Sequence, residues 1–299
     1  MATSNLTKRL VKMAADLGPP KGTEPDLFSA FIRAATPQIR SAFRSKHCDE
    51  EVFEILSSFF SVTQSRTGTS PVVTVACDDS GTRIVSHMPD QPFIVDTVLL
   101  TLRTLDIGYL SGFNLVIGMG RSNEGQLISI DDPTDPLESM IFVHADGFED
   151  SDQLKTALGN RLILAQATVG DFGSMTERVN ETASKLMQAA QDEKSGAEKF
   201  SEAASFLRWL LADNFVLMGT IKGDERLGIA IEAVAELNDM SSLDNWEQSK
   251  RVVDIRKAPS ESQVHRAGRK DEIRIQIPGE DDLKIQGLFT YRGVTQPSR

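Results

Sequence analysis

The apolar residues of the first 65 positions recur at helical spacing. Leu6, Leu10, Met13 and Leu17 lie three or four residues apart, which places them on one face of a helix. Two further groups follow the same period: Leu27, Phe31 and Ile32, and then Val52, Phe53, Leu56, Phe59 and Phe60. The pattern predicts a helical N-terminal extension over residues 1–68.

The period changes from 3.6 to 2 after the turn-rich segment 65–71. Residues 72–76 favour a strand, and residues 82–87 favour its hairpin partner across a polar turn. The next apolar stripe is helical again, and Pro92 suits its first turn. That stripe consists of Ile94, Val98, Leu102 and Leu105.

Three more strands and a helix complete the first sheet. Strands are predicted over 114–119, 126–130 and 140–145, and a helix from about Asp152. The order strand, helix, strand, strand, helix is typical of a ferredoxin-like split βαβ arrangement, an α+β fold with helices on one face of an antiparallel sheet. Its final strand is not evident in the sequence.

A second domain is expected after a polar break at 191–196. A helix over 173–191 precedes the break, and a helix over 200–212 with a strand over 214–221 follows it. Further strands are expected at 251–255, 273–277 and 283–291, and the turns between them favour antiparallel pairing. The predicted domains are therefore 1–68, 70–190 and 197–299.

Charge and composition exclude several classes of partner. The formal net charge of −11 repels phosphate backbones and anionic lipid, so neither nucleic acid nor a membrane is expected as a partner. Residues 1–18 lack the apolar core of a secretory signal, and no apolar stretch is long enough to span a bilayer. Cys48 and Cys77 have no metal-ligand spacing, which favours reduced thiols in a cytoplasmic protein.

No residue of the chain is predicted to be catalytic, to bind a cofactor or to hold a metal. Gly118-Met119-Gly120 is the nearest match to a dinucleotide loop, but Asn123 replaces the third glycine and a hairpin is favoured instead. The histidines lack partners at zinc-binding spacing, and the acidic pairs sit beside Pro or Gly in polar turns. These residues are His47, His87, His144 and His265, with Asp131-Asp132 and Asp281-Asp282.

Four segments, in order, carry a resemblance to a known family. Residues 89–98 resemble a Pro-Phe-Leu-Val-Asp-Ser-Val pattern at the start of an ACT-domain helix, and residues 138–144 resemble a Glu-Ser strand. Residues 206–219 resemble a helix-to-strand entry, and Val264-His265-Arg266 followed by Gly287-Leu288-Phe289-Thr290 resembles the closing elements of a PAS-like sheet. Over residues 50–293 the chain resembles the N-terminal region of the large NAD-dependent glutamate dehydrogenases.

This resemblance implies an ACT-like domain at 70–190 and a PAS-like α/β domain at 197–299. The parent enzyme would oxidise L-glutamate to 2-oxoglutarate in amino-acid catabolism, with NAD bound in a downstream catalytic region. This chain would serve regulation or oligomerisation, with that region and other subunits of a homo-oligomer as partners. Two alternatives stay open: a free-standing ACT-domain amino-acid sensor, and a chain that is itself catalytic. Whether Arg299 is a natural end is also open.

The resemblance also implies one ligand site. ACT domains commonly bind amino acids where the first strand enters the first helix, because helix N-terminal amides meet a carboxylate there. The corresponding residues are Asp90, Gln91, Pro92 and Phe93, with Phe93 at a place where glycine is common. The favoured alternative is structural: Asp90 caps the helix and Phe93 fills the core.

Overall fold

The computed structural model describes residues 2–192, 196–229 and 271–289. Backbone contacts divide the chain into two compact units, and the division falls between Ile163 and Leu164. It therefore lies within a helix, earlier than the boundary predicted at 190–197. Each unit has its own hydrophobic core.

The first unit begins with the predicted helical extension. Its helices are α1 (Ala2–Leu17), α2 (Pro25–Ala35), α3 (Ser41–Arg44) and α4 (Asp49–Thr63), with a 3₁₀ turn at Thr36–Gln38. Helix α2 starts on Pro25, whose missing N–H costs nothing at that position. At the start of α4 the Glu51 carboxylate accepts the backbone N–H of Cys48 at 2.8 Å, which satisfies one of the unpaired N-terminal amides.

A five-stranded sheet follows, with antiparallel pairing throughout. Its strands are β1 (Val72–Asp78), β2 (Gly81–Pro89), β3 (Tyr109–Arg121), β4 (Leu127–Ile130) and β5 (Leu137–Ala145), in the order β1-β2-β5-β3-β4. Helix α5 (Ile94–Thr104) connects β2 to β3, and α6 (Ser151–Gly170) follows β5. Since β5 lies between β2 and β3, these elements form the split βαβ arrangement, and the α+β class is confirmed.

The sequence did not reveal a final strand after α6. The strand that takes its place in the sheet comes earlier in the chain, before β2. In the ferredoxin-like arrangement the last strand lies antiparallel beside the first one. Here β1 occupies that edge, because it forms a tight hairpin with β2 from Asp78 to Gly81. The edge position is filled by the strand that comes first in the chain, so a search downstream of α6 does not find it.

Helices cover both faces of this sheet, not one as predicted. Ile84, Ile141 and Val143 face α5 and α6, whereas their neighbours Val85 and Phe142 face the N-terminal helices. Phe113 of β3 is the centre of the second face. Its ring centroid lies 4.7 Å from that of Phe43 and 5.8 Å from that of Phe59. Strands buried on both faces are apolar at consecutive positions, which explains the continuous apolar run in β5.

The helical extension is therefore a layer of the first unit. Its residues share one core with the sheet, and Gln38 adds a polar contact. The Gln38 amide group donates to the carbonyl of Val116 and accepts the N–H of Val116, both at 2.9 Å. These are the two bonds that a neighbouring strand would make at that position of β3.

In its described residues, the second unit is a four-stranded antiparallel sheet with two main helices. Its helices are α7 (Phe172–Asp192) and α8 (Ala197–Trp209), followed by a π-type turn at Leu210–Asn214. Its strands are β6 (Phe215–Lys222), β7 (Glu225–Gly228), β8 (Asp271–Ile275) and β9 (Leu283–Phe289), in the order β7-β6-β9-β8. The predicted strand at 251–255, the Val264-His265-Arg266 element and residues from 290 onward lie outside the described residues.

Helix α7 packs its apolar face in the second unit. Met175, Val179 and Leu186 belong to the same core as Leu207 of α8 and Ile285 of β9. The sequence pattern had placed this helix in the ACT-like domain at 70–190. Periodicity identifies an apolar face, but it does not say which sheet covers that face.

Two further expectations concern the surface and the thiols. Within the described ranges, no helix combines the length and the apolarity needed to cross a membrane. Cys48 and Cys77 are both exposed free thiols.

Candidate functional site

The entrance from β2 into α5 contains the four residues singled out from the sequence. Asp90 and Pro92 are exposed, whereas Gln91 and Phe93 are partly buried. The backbone N–H of Asp90 donates to the carbonyl of Leu137 at 3.0 Å, which fixes the entrance to the start of β5. The four residues are consecutive and form one short connection between Pro89 and Ile94.

The structural alternative for this connection is wrong in its main point. The N-cap position of α5 is Phe93, not Asp90, and no side chain caps the helix there. Phe93 is only partly buried and is not among the core residues. Its backbone is left-handed, with φ 71° and ψ 5°, a conformation that glycine adopts without strain. A conformational requirement therefore accounts for the glycine that is common at this place.

Three buried polar atoms near the entrance have no hydrogen-bond partner among the described residues. They are the Ser86 Oγ, the Gln91 Nε2 and the Thr97 Oγ1. Ser86 is 2% exposed and shares its face of β2 with Ile84 and Met88, the face that packs against α5. Buried polar groups are almost always paired, so three unpaired ones on one strand–helix unit mark a place where a bound molecule or water would be held. Strand parity could have identified Ser86 from the sequence.

Substitution of Phe93 tests the left-handed conformation. We expect Phe93→Gly to be more stable to unfolding than Phe93→Ala by about 1 kcal/mol, because both lose the side chain but only alanine keeps the strain. Urea denaturation of both variants measures the difference. In an ordinary helical or extended conformation alanine would be the more stable variant, so that order would contradict the assignment.

A buried cluster of charged residues lies on the opposite face of the sheet. Glu138 of β5 is its centre, with 1% of its side chain exposed. Arg121 donates to both carboxylate oxygens at 2.7 Å, and Arg66 donates to one of them at 2.7 Å. The fully buried His87 approaches the carboxylate through its Nε2.

The two arginines connect the cluster to the helical layer. The Arg121 Nη1 donates to the carbonyl of Thr63, at the end of α4, at 3.1 Å. It also donates to the carbonyl of Gly125 at 2.9 Å, and the backbone N–H of Arg66 donates to that carbonyl at 3.0 Å. A Cβ on Gly125 would lie 2.2 Å from the carbonyl oxygen of Arg66, so only glycine fits there. The segment predicted as a turn-rich linker is thus fixed to the sheet.

Burial and charge act against each other in this cluster. Burial raises the pKa of Glu138, but the hydrogen bonds from Arg121, His87 and Arg66 outweigh it and hold that pKa far below its usual value. Burial lowers the pKa of His87, and this effect exceeds the raising effect of Glu138. A neutral imidazole with its proton on Nε2 suits the carboxylate, and it leaves a buried Nδ1 without a partner.

The contacts of this cluster join the segment after α4 to three strands of the sheet. At the centre of the cluster, the Glu138 carboxylate accepts hydrogen bonds from two guanidinium groups. Sequence reasoning missed it because its members are far apart along the chain. The available signal was Glu138 itself, since it shares a strand face with Met140 and Phe142.

The cluster predicts how stability depends on pH. The unfolded state binds a proton at His87 near pH 6.5, whereas the folded state binds it only at lower pH. The free energy of unfolding should therefore fall as the pH decreases from 7 towards 5. Protonation of the paired Glu138 should lower the free energy of unfolding further, but only below about pH 4.5. We expect His87→Gln to flatten the slope between pH 7 and 5.

Urea denaturation at several pH values measures that slope. His144→Gln is a matched control, because His144 is partly exposed and bonds to the carbonyl of Ser80. It should leave the slope of the original chain unchanged. Equal slopes for all three proteins would show that His87 is not buried as a neutral group.

Local contacts account for several of the remaining candidates from the sequence, whereas His265 lies outside the described residues. His47 stacks on Phe43, and the Asp132 carboxylate accepts the N–H and hydroxyl of Thr134 in a polar turn, as predicted. Gly118-Met119-Gly120 lies in β3, whose end pairs with β4, so the predicted hairpin is confirmed. In the part of the chain that the structure describes, no three His, Cys, Asp or Glu side chains are grouped to hold a metal ion.

Comparison with known proteins identifies relatives of one kind. A family described as "Glutamate dehydrogenase, ACT1 domain" matches residues 42–162, a range that includes the sheet, α5 and the charged cluster. The chain is 25% identical over 235 residues to the NAD-specific glutamate dehydrogenase of Halomonas elongata, covering 73% of this chain and 14% of that protein. It is 26% identical over 220 residues to that of Pseudomonas aeruginosa, covering 71% and 12%. The matched region is thus a small part of both relatives.

Proposed function

We propose that this chain, which belongs to the N-terminal region of the large NAD-dependent glutamate dehydrogenase family, is a non-catalytic regulatory and oligomerisation region of such an enzyme. The parent reaction would convert L-glutamate and NAD to 2-oxoglutarate, ammonia and NADH. NAD would bind in a downstream catalytic region, and that region and other subunits would be the partners of this chain.

The observation that carries this proposal is the position of the ACT1 match. It falls on a folded layer whose charged residues are used for structure: Glu138 is held by Arg66 and Arg121, and His87 is buried against it. A general acid or base must be able to reach a substrate and exchange a proton with it. The buried carboxylate and imidazole have no such access.

The second unit would be a PAS-like domain, and it would serve the same regulatory and oligomerisation role. Its support is the antiparallel sheet β7-β6-β9-β8 with α7 and α8 contributing to its core, together with the sequence resemblance at 206–219 and 287–290. Lys185 of α7 and Lys222 of β6 both bind the Glu280 carboxylate at 2.6 Å, and they lower the pKa of Glu280 to about 2. This contact joins the helix, one strand and the turn before β9.

An assay of the purified chain tests the proposal. We expect the 299-residue chain, incubated with L-glutamate and NAD, to form NADH no faster than buffer, while light scattering reports a mass above that of one chain. A commercial glutamate dehydrogenase provides the positive control for the assay. Catalytic NADH formation by the chain would contradict the non-catalytic role, and a mass equal to one chain would contradict the oligomerisation role.

The unpaired polar atoms favour a second, compatible function, the binding of an amino-acid effector at Asp90–Phe93. The N-terminal amides of α5 would bind the carboxylate, and the groups of Ser86, Gln91 and Thr97 would bind the remaining polar atoms. A free-standing amino-acid sensor would use the same site. Binding of an amino acid with micromolar affinity, without any effect on the activity of a glutamate dehydrogenase, would favour that alternative.

Two threonines on α5 provide a matched test of the effector site. The Thr97 hydroxyl is buried and has no partner in the part of the chain that the structure describes, whereas the Thr101 hydroxyl donates to the carbonyl of Thr97 at 2.8 Å. Without ligand, we expect Thr97→Val to be neutral or stabilising by about 1 kcal/mol and Thr101→Val to be the less stable variant. In calorimetry with L-glutamate, other amino acids and 2-oxoglutarate, only Thr97→Val should weaken binding.

Two results would contradict the effector site. One is an absence of binding by every compound at millimolar concentration. The other is an equal loss of affinity in the Thr97 and Thr101 variants, since Thr101 has no free hydroxyl to offer. Neither result bears on the activity assay of the chain, so the two functions can fail separately.

A further inference from the structure

A cavity of about 170 Å³ lies at the edge of the first sheet, between α5 and the first half of β3. Its walls are apolar and come from Val95, Val98, Leu99, Ile141 and Val143. Gly112 of β3 contributes no side chain to the cavity. A Cβ there would lie 2.5 Å from the carbonyl oxygen of Phe142, so the backbone approach requires glycine and keeps this place open.

Three polar side chains line the cavity together with these apolar groups: Arg40, Tyr109 and Asn114. The Tyr109 hydroxyl is 3.4 Å from the carbonyl of Gly112, the long limit of a hydrogen bond. Partial burial raises the pKa of Tyr109 even though the charge of Arg40 opposes the change, so the phenol keeps its proton. Among the described residues, the side chains of Arg40 and Asn114 have no hydrogen-bond partner. A cation and two neutral polar groups are thus available to a bound molecule.

The charge of the lining selects the type of ligand. Arg40 is the one charged residue of the lining, and no carboxylate belongs to it. A carboxylate ligand would find a cation, whereas an ammonium group would lose water without gaining an anionic partner. The volume equals about five or six molecules of liquid water, which suits a short branched hydrocarbon with its charged end at the rim.

We propose that this cavity binds a small monocarboxylate with a branched apolar side chain and no amino group, such as a branched 2-oxo acid. The hydrocarbon lies between α5 and β3, the carboxylate pairs with Arg40, and Tyr109 and Asn114 bind the remaining oxygen. This site differs from the entrance at Asp90–Phe93 in its position and in its ligand class. It rests on the cavity and its lining alone, and it does not depend on the regulatory function proposed above.

Two compounds with the same carbon skeleton test the charge argument. The ligand 4-methyl-2-oxopentanoate carries a keto group where L-leucine carries an ammonium group. Titration of the full chain, observed through the methyl NMR signals of Val95, Val98, Leu99 and Ile141, should show saturable shifts with the oxo acid. We expect L-leucine to bind at least about tenfold more weakly, a difference in binding free energy that one modest electrostatic contact supplies.

Matched variants locate the site and its cation. Arg40→Gln should weaken binding of the oxo acid at least about fivefold, whereas Arg33→Gln, which removes an exposed positive charge of α2 outside the lining, should leave it unchanged. Val95→Phe should obstruct the cavity at a position that is already 38% exposed, and it should abolish the shifts without unfolding the chain.

Several outcomes would overturn the proposal. The first is the absence of saturable NMR shifts up to about 10 mM oxo acid, which corresponds to negligible affinity. The second is equal affinity for the oxo acid and L-leucine. The third is an equal loss of affinity in Arg40→Gln and Arg33→Gln. The fourth is that the oxo acid shifts the NMR signals of the Val95→Phe variant and not those of Thr97→Val, which would assign the binding to the β2–α5 entrance. That result would leave the effector site intact and remove only the cavity site.

Discussion

The first unit depends on one buried carboxylate. Glu138 lies almost without solvent beneath the helical layer, and a carboxylate in such a place is tolerated only when it is fully paired. Its partners come from the segment after α4, from β2 and from β3, so the pairing is complete only when these segments are assembled. Removal of one partner from a buried pair costs about 3–5 kcal/mol, which makes partial assembly unfavourable. The cluster therefore specifies where the helical layer sits on the sheet.

The apolar contacts around it explain why this layer is needed. Both faces of β5 are apolar, and a sheet of this kind cannot leave either face in water. Phe113 and Phe142 are covered by Phe43 and Phe59 of the helical layer. The extension predicted from the sequence as a separate domain thus completes the core of the sheet that follows it. The family match, which begins at residue 42, includes α4.

Periodicity predicted most of the elements and few of the contacts between them. Residues with a clear period, such as Leu6 and Leu10 in α1 or Val98 and Leu102 in α5, are buried as predicted, because a single stripe has to face some core. The ends of β3 and β5 extend beyond the prediction, since pairing with neighbouring strands continues where the apolar run stops. The cluster around Glu138 depends on residues far apart in the chain, and the cap at Phe93 depends on a backbone angle. Neither property is encoded in a local pattern.

The two faces of the sheet differ in where their unpaired polar atoms lie. Beside the helical layer, His87 Nδ1 and Arg66 Nε lack a partner among the described residues, and both belong to the Glu138 cluster. On the face of the helical layer, the Glu138 carboxylate is paired by four hydrogen-bonding contacts. On the face of α5, Ser86 and Thr97 are unpaired, Phe93 is held in a left-handed conformation, and a cavity remains open beside Val95. A ligand shifts a conformational equilibrium only by the difference in its affinity for the two states. Unpaired groups beside open space supply such a difference, so the effector proposed above would act on the α5 side of the sheet.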